Sequence, residues 1–177
     1  MKRAMTMTAH LTAPSSVATH LSARVDNTML HSGVLRGDPE SETHYPNRIS
    51  RPVNEGHWVK VLPTPLPAPR LIAYSPDMAA ELGLDESMVH SEDFLRYVTG
   101  DTSAVPGTEA WATPYAVSVH GQGIGSPCQF QGRGYGDGRA AAIGEFRGES
   151  GGQSWELQLK GSGTSPFSHM SIYGNNH

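Results

Sequence analysis

The chain has 177 residues, a formal net charge of −4 and 37% apolar residues, with a mean hydropathy of −0.41. One domain is the default at this length, and the acidic balance argues against a dedicated nucleic-acid binder. No apolar run approaches the roughly eighteen residues a transmembrane helix needs, and Cys128, the single cysteine, excludes an intramolecular disulfide and a Cys-based zinc site.

Residues 1 to 45 are rich in Ser, Thr, Ala and His with little periodicity. This composition predicts a disordered tail. The first 25 residues carry Lys2, Arg3 and Arg24 and no acid, a pattern shared with organelle transit peptides. The expected location is therefore mitochondrial or cytoplasmic. The folded part is expected to start near residue 46. His57–Leu62 reads as a short strand, and Pro63, Pro65, Pro67 and Pro69 impose an extended segment after it. Arg70–Tyr74 reads as a second strand. Ser75-Pro-Asp then starts a helix, with Ser75 as N-cap and Pro76 at the first helical position, ending at Gly83. Ser91-Glu-Asp starts another, with Phe94, Leu95 and Val98 as its apolar stripe and Gly100 as its stop. Residues 101–114 read as loop, and Tyr115–Val119 as a strand.

The last part is the most legible. Arg139–Phe146 is a run of small and apolar residues, and Glu149–Gly152 is turn chemistry. Trp155, Leu157 and Leu159 alternate with Glu156, Gln158 and Lys160, which predicts a strand with one apolar face. The two runs are expected to pair as a β-hairpin. A glycine-rich stretch, Gly132-Arg-Gly-Tyr-Gly-Asp-Gly-Arg139, leads into it. Glycines let backbone N–H groups come close to a phosphate. A lysine on the neighbouring strand adds a point charge. The pattern is not a P-loop, since no Gly-Lys-Ser/Thr follows, and a strand rather than a helix follows it, unlike a dinucleotide fingerprint. Tight turns without ligand also use Gly-x-Gly, and Lys160 alone also reads as one residue of a solvated face. Arg139 suits a bidentate phosphate contact, or an ion pair with Glu145 or Asp137. Asp137 reads as a turn-former, and Trp155 and Cys128 as core residues. The nine His form no evident metal set.

These segments together resemble selenoprotein O, a family of protein adenylyltransferases with a kinase-like fold. The resemblance is carried by Pro65–Leu84, by Tyr115–Glu145, which contains Gly-Asp-Gly-Arg-Ala, and by Trp155–Ser168, which contains Leu-Gln-Leu-Lys-Gly-Ser-Gly. It spans roughly residues 45 to 170 and only the N-terminal part of the family's longer chain. It implies transfer of AMP from ATP to hydroxyl side chains of protein substrates, with a divalent metal such as Mg. It also implies an ATP flipped so that its α-phosphate faces attack. Carried over by motif, Gly136, Asp137, Gly138 and Arg139 are nucleotide-loop residues and Lys160 is the phosphate-binding strand lysine. The implied fold is α+β, the N-lobe of a kinase-like domain, with an antiparallel sheet and short helices after a disordered tail.

The departures from the family pattern are equally specific. After Ser168 the family continues into a second Gly-Asp-Gly-Arg, and here Ile172 and Tyr173 stand where its Asp-Gly would fall. By the resemblance, the helix glutamate that pairs with the lysine, the catalytic aspartate and the metal-binding Asn and Asp lie beyond the matching stretch. No catalytic or metal-binding residue is therefore assigned in this chain, and the polypeptide alone is expected to catalyse little or nothing. The alternative expectation is a non-catalytic remnant that binds nucleotide weakly or associates with a partner. An ordinary protein kinase fits less well, because 21 residues separate Arg139 from Lys160, a longer span than a kinase Gly-loop hairpin suggests.

Overall fold

The computed structural model describes residues 16–47, 51–114 and 141–160. Their helices are α1 (Ser16–Ser22), α2 (Thr28–His31), α3 (Pro76–Glu81), α4 (Glu86–Val89) and α5 (Glu92–Val98). Their strands are β1 (Val59–Lys60), β2 (Trp111–Ala112), β3 (Ala141–Arg147) and β4 (Ser154–Leu159). The sheet is antiparallel in the order β1-β2-β3-β4. The architecture is thus α+β with an antiparallel sheet and short helices, as expected from the sequence, and it is consistent with a kinase-like N-lobe.

The hairpin β3–β4 forms where the alternation places it. Ser154, Glu156 and Gln158 are exposed, Trp155 and Leu157 are half-buried, and Leu159 is buried. The turn closes with the Gly148 N–H donating to the Gln153 carbonyl at 2.8 Å. It is docked, not free. The Glu149 N–H donates to the Glu81 carbonyl at 2.7 Å, and Trp155 Nε1 donates to Glu81 Oε1 at 3.3 Å. Glu81 is the last residue of α3, so the helix end anchors the hairpin tip.

Strand β3 is buried along most of its length because its side chains pack with residues of α1, α3, α4 and α5. Ile143 and Phe146 are fully buried in one cluster with Val17, Leu21, Val89, Tyr97 and Val105. A second, smaller cluster joins Ala141 to Val59, Val61, Ala110 and Ala112. The pairing with β4 slips between Ala142 and Gly144: Gly144 pairs with Leu157, but Ala142 pairs with Gln158. Ile143 is therefore the extra residue of a β-bulge, which bends a strand and leaves ladder groups without partners. Tyr97 fills that gap. Its hydroxyl donates to the Ile143 carbonyl at 2.8 Å, and its ring meets Phe146 edge-on at 6.0 Å. Gly144 makes the approach possible, since a Cβ there would lie 2.6 Å from the Tyr97 hydroxyl.

The helix-start chemistry read from the sequence is realised. Ser75 accepts from the Met78 N–H at 3.2 Å, and Ser91 accepts from the Phe94 N–H at 3.2 Å. Gly83, at φ +67°, ends α3, with the Leu84 N–H returning to the Ala79 carbonyl at 2.8 Å; only glycine adopts such a φ at little cost. Helix α4 was not expected, although Asp85 caps it by accepting from the Met88 N–H at 2.8 Å. Within 101–114, read as loop, a 3-10 turn at Thr102–Ala104 and the two-residue β2 occur. The Tyr115–Val119 strand lies outside the described residues.

Two expectations are corrected. Arg70–Tyr74 is not a strand: it has no neighbouring strand among the described residues to complete its backbone hydrogen bonds, and Ile72 is 97% exposed. The predicted tail is also not disordered over residues 16–45. Val17 and Leu21, both 0% exposed, project from α1 into the main cluster. Val25 bridges Phe146 in antiparallel sense, and the Asp26 N–H donates to the Glu145 carbonyl at 2.8 Å while the Arg147 N–H donates to the Arg24 carbonyl at 2.9 Å. The low-hydropathy composition hid this, because α1 has just enough apolar residues for one buried stripe. Further on, Asp38 forms an ion pair with Arg51, and Asn47 donates to the Ser41 and Lys60 carbonyls at 2.8 Å. Residues 1–15 lie outside the described residues. Leu21→Ala is expected to destabilise the chain by about 2–5 kcal/mol, the usual range for a buried leucine. Urea denaturation checks this; an unchanged midpoint would mean that α1 does not belong to the core.

Candidate functional site

The hairpin delivers two chain segments to one place. Lys160 follows β4 directly and is exposed. The residue before it, Leu159, pairs with Ala141, the first described residue after the glycine-rich stretch. Lys160 therefore sits at the end of the hairpin where β3 begins. Gly136, Asp137, Gly138 and Arg139, and also Cys128, lie outside the described residues.

Glu156, Gln158 and Lys160 share the outward face of β4 by strand alternation. At about 3.3 Å per residue, Glu156 stands about 13 Å from Lys160 along the strand. This exceeds the Debye length of about 8 Å at physiological salt, so Glu156 is largely screened from the lysine. Lys60, the other described lysine beyond the tail, donates to Glu42 Oε1 at 2.8 Å with its Nζ 5.2 Å from the Tyr45 ring centroid.

Near the middle of the hairpin the charge pattern is acidic. Glu145 and Glu156 are direct cross-strand partners. Loss of solvent pushes the Glu145 carboxyl above its ordinary range, and the charge of Asp26 adds to this. The Met29 N–H, donating to Glu145 Oε2 at 3.1 Å, works in the opposite direction. Glu156 is also pushed up, first by desolvation and then by Glu145; as a residue it is exposed, so screening keeps its effect small. Asp26 is held below the ordinary carboxylate range, chiefly by the Thr28 hydroxyl. Glu145, read from sequence as an ion-pair partner for Arg139, thus has the strap of residues 24–29 as its described neighbour. Nothing local in the sequence signals this contact across more than a hundred residues. Tyr97 was also missed, although its spacing of three from Phe94 put it on the apolar stripe of α5.

Among the described residues, no group of three or more His, Cys, Asp or Glu could hold a metal ion, and no helix is long and apolar enough to cross a membrane. The described features define a small antiparallel-sheet lobe with a lysine at the end of its hairpin, where β3 begins. A family model described as Protein adenylyltransferase SelO matches residues 39–172, and the chain belongs to this family. It is 40% identical over 147 residues to the protein nucleotidyltransferase YdiU of Aromatoleum aromaticum, covering 81% of this chain and 25% of that protein. It is 41% identical over 150 residues to the YdiU of Xanthomonas axonopodis pv. citri, covering 85% of this chain and 25% of that protein. The Methylobacillus flagellatus YdiU is 37% identical over 145 residues. The matches to the first two thus span about a quarter of the length of those relatives.

The carboxylates predict an uncommon pH response. A carboxyl whose folded pKa is raised favours the folded state more when protonated, so Glu145 contributes stability that grows as pH falls from about 7 toward about 4. Asp26 and Asp101, both depressed, contribute stability present above the unfolded carboxylate range and lost as pH falls through their own lower pKa values. Stability is expected to peak in mildly acidic solution and fall below it. Glu145→Gln should stabilise the chain near neutral pH, with the gain vanishing near pH 4. Thermal unfolding of both forms across this range is the check, and a gain that persists at acid pH would exclude desolvation of Glu145 as its origin.

Proposed function

We propose that this chain forms the nucleotide-binding part of a protein adenylyltransferase. The observation that carries the reading is the hairpin register, which sets Lys160 at the end of the hairpin where β3 begins, two positions after Arg139 in the sequence. Membership of the family supports the same assignment. Gly136, Asp137 and Gly138 would hold ATP phosphates through backbone N–H groups, Arg139 would take a phosphate bidentately, and Lys160 would add a point charge. In AMP transfer, a hydroxyl oxygen of a protein substrate bonds to the α-phosphorus and its proton passes to a base. The bond to the bridging oxygen breaks, and pyrophosphate leaves carrying the electron pair. Cations on the polyphosphate stabilise the charge that builds on this leaving group.

In this reading Lys160 would bind the polyphosphate and neutralise part of its charge, while the described residues supply no ligand set for the divalent metal, such as Mg, that the family resemblance implies. The chain is expected to bind ATP saturably. Isothermal titration with ATP tests the binding. Lys160→Ala should weaken it about tenfold, the loss of one charge-assisted contact. Absence of saturable ATP binding by the unaltered chain would rule the reading out.

A further inference from the structure

We infer that His57 makes the contact between residues 36–38 and the chain entering β1 a pH-sensitive clasp, closed while the ring is neutral and opened when it takes a second proton. Three hydrogen bonds join the two segments. The His57 N–H donates to the Arg36 carbonyl at 2.6 Å, and the Asp38 N–H donates to the Trp58 carbonyl at 2.8 Å. The third runs through a side chain: the Arg36 N–H donates to His57 Nδ1 at 3.0 Å. A backbone N–H can only donate, so Nδ1 offers its lone pair and the single ring proton sits on Nε2. An imidazolium carries a proton on both nitrogens. Protonation at Nδ1 thus removes the acceptor and sets one N–H against another. At this atom closure and protonation exclude each other.

The two segments fit closely. At Gly56, where φ is +104°, a Cβ would lie 2.6 Å from the Asp38 backbone nitrogen, and at Gly37 a Cβ would lie 2.8 Å from Cζ2 of Trp58. The Trp58 Nε1 is buried and makes no hydrogen bond, so packing and backbone pairing hold the indole in place. His57 itself is exposed, and a proton from solvent reaches its ring directly. The charged groups around the clasp are Arg36 and Glu55, which line a surface cavity with Gly37, Pro39 and Gly56, and Arg51, which pairs with Asp38 and stands 3.6 Å from Glu40. Carboxylates and guanidinium groups ordinarily keep their charge between about pH 7.5 and about pH 5.5, the range in which histidine side chains change theirs. Of this set, His57 is the group that switches there. The clasp therefore contributes stability at the upper end of the range and loses it as pH falls. Opening frees residues 36–38 and uncovers the Trp58 ring.

Amide hydrogen exchange of the 177-residue chain, corrected for intrinsic rates at each pH, tests the inference at Asp38, whose N–H bonds to Trp58 and not to the ring. Its protection should fall about fivefold between about pH 7.5 and about pH 5.5, the effect of one lost hydrogen bond. The Val61 N–H, which donates to the Ala110 carbonyl at 3.0 Å, should not follow. His57→Asn sets a carbonyl oxygen that does not titrate where Nδ1 stands, and should keep Asp38 equally protected at both ends of the range. His57→Phe has no acceptor and should show the weaker protection at both. Unchanged protection of Asp38 in the unaltered chain would overturn the clasp. So would an equal fall at Val61, which would mean a loss of stability throughout, an equal fall in His57→Asn, or full protection in His57→Phe at the upper pH.

Discussion

Strand β3 must satisfy its backbone on both edges because it is buried, and the rest of the described fold depends on how that is done. A buried N–H or carbonyl without a partner costs about as much as a lost hydrogen bond. One edge is taken by β4 along the whole hairpin. The other edge is shared. β2 reaches it at Ala142, and the segment at Arg24–Asp26 reaches it from Glu145 to Arg147. Between these two partners lies the bulge, and there the Ile143 carbonyl takes a hydroxyl from α5 instead. Four elements, three of them distant in sequence, converge on seven residues.

This arrangement explains why the smaller features stand where they do. Helix α5 can approach the sheet only because Gly144 has no side chain. Helix α3 fixes the far end of the hairpin through Glu81, which serves both the turn backbone and the Trp155 indole. The strap at residues 24–29 brings Asp26 and Met29 to Glu145, so an acidic residue at the middle of the hairpin is half-buried and desolvated. The opposite end of the same hairpin carries Lys160, which is exposed.

Much of this was legible without the structure. The hairpin followed from strict alternation in β4 and from turn residues between two apolar runs. The starts of α3 and α5 followed from serine caps, whose side chains satisfy orphan N–H groups using only residues three positions away. The N-terminal segment was misjudged because average composition does not report one buried stripe on a short helix. Arg70–Tyr74 was misjudged because strand-like residues form a strand only if a neighbour pairs with them.

Local order, then, belonged to the sequence by itself: caps, stops and alternation, all set by interactions within a few residues. Family membership was legible there too, since it resides in a string of residue types. Tertiary structure alone decided the bulge at Ile143, the hydroxyl that holds it, the docking of Val17 and Leu21, and the desolvation of Glu145. Each of these joins residues far apart in the chain, and their energies depend on burial and on partners that no local pattern encodes.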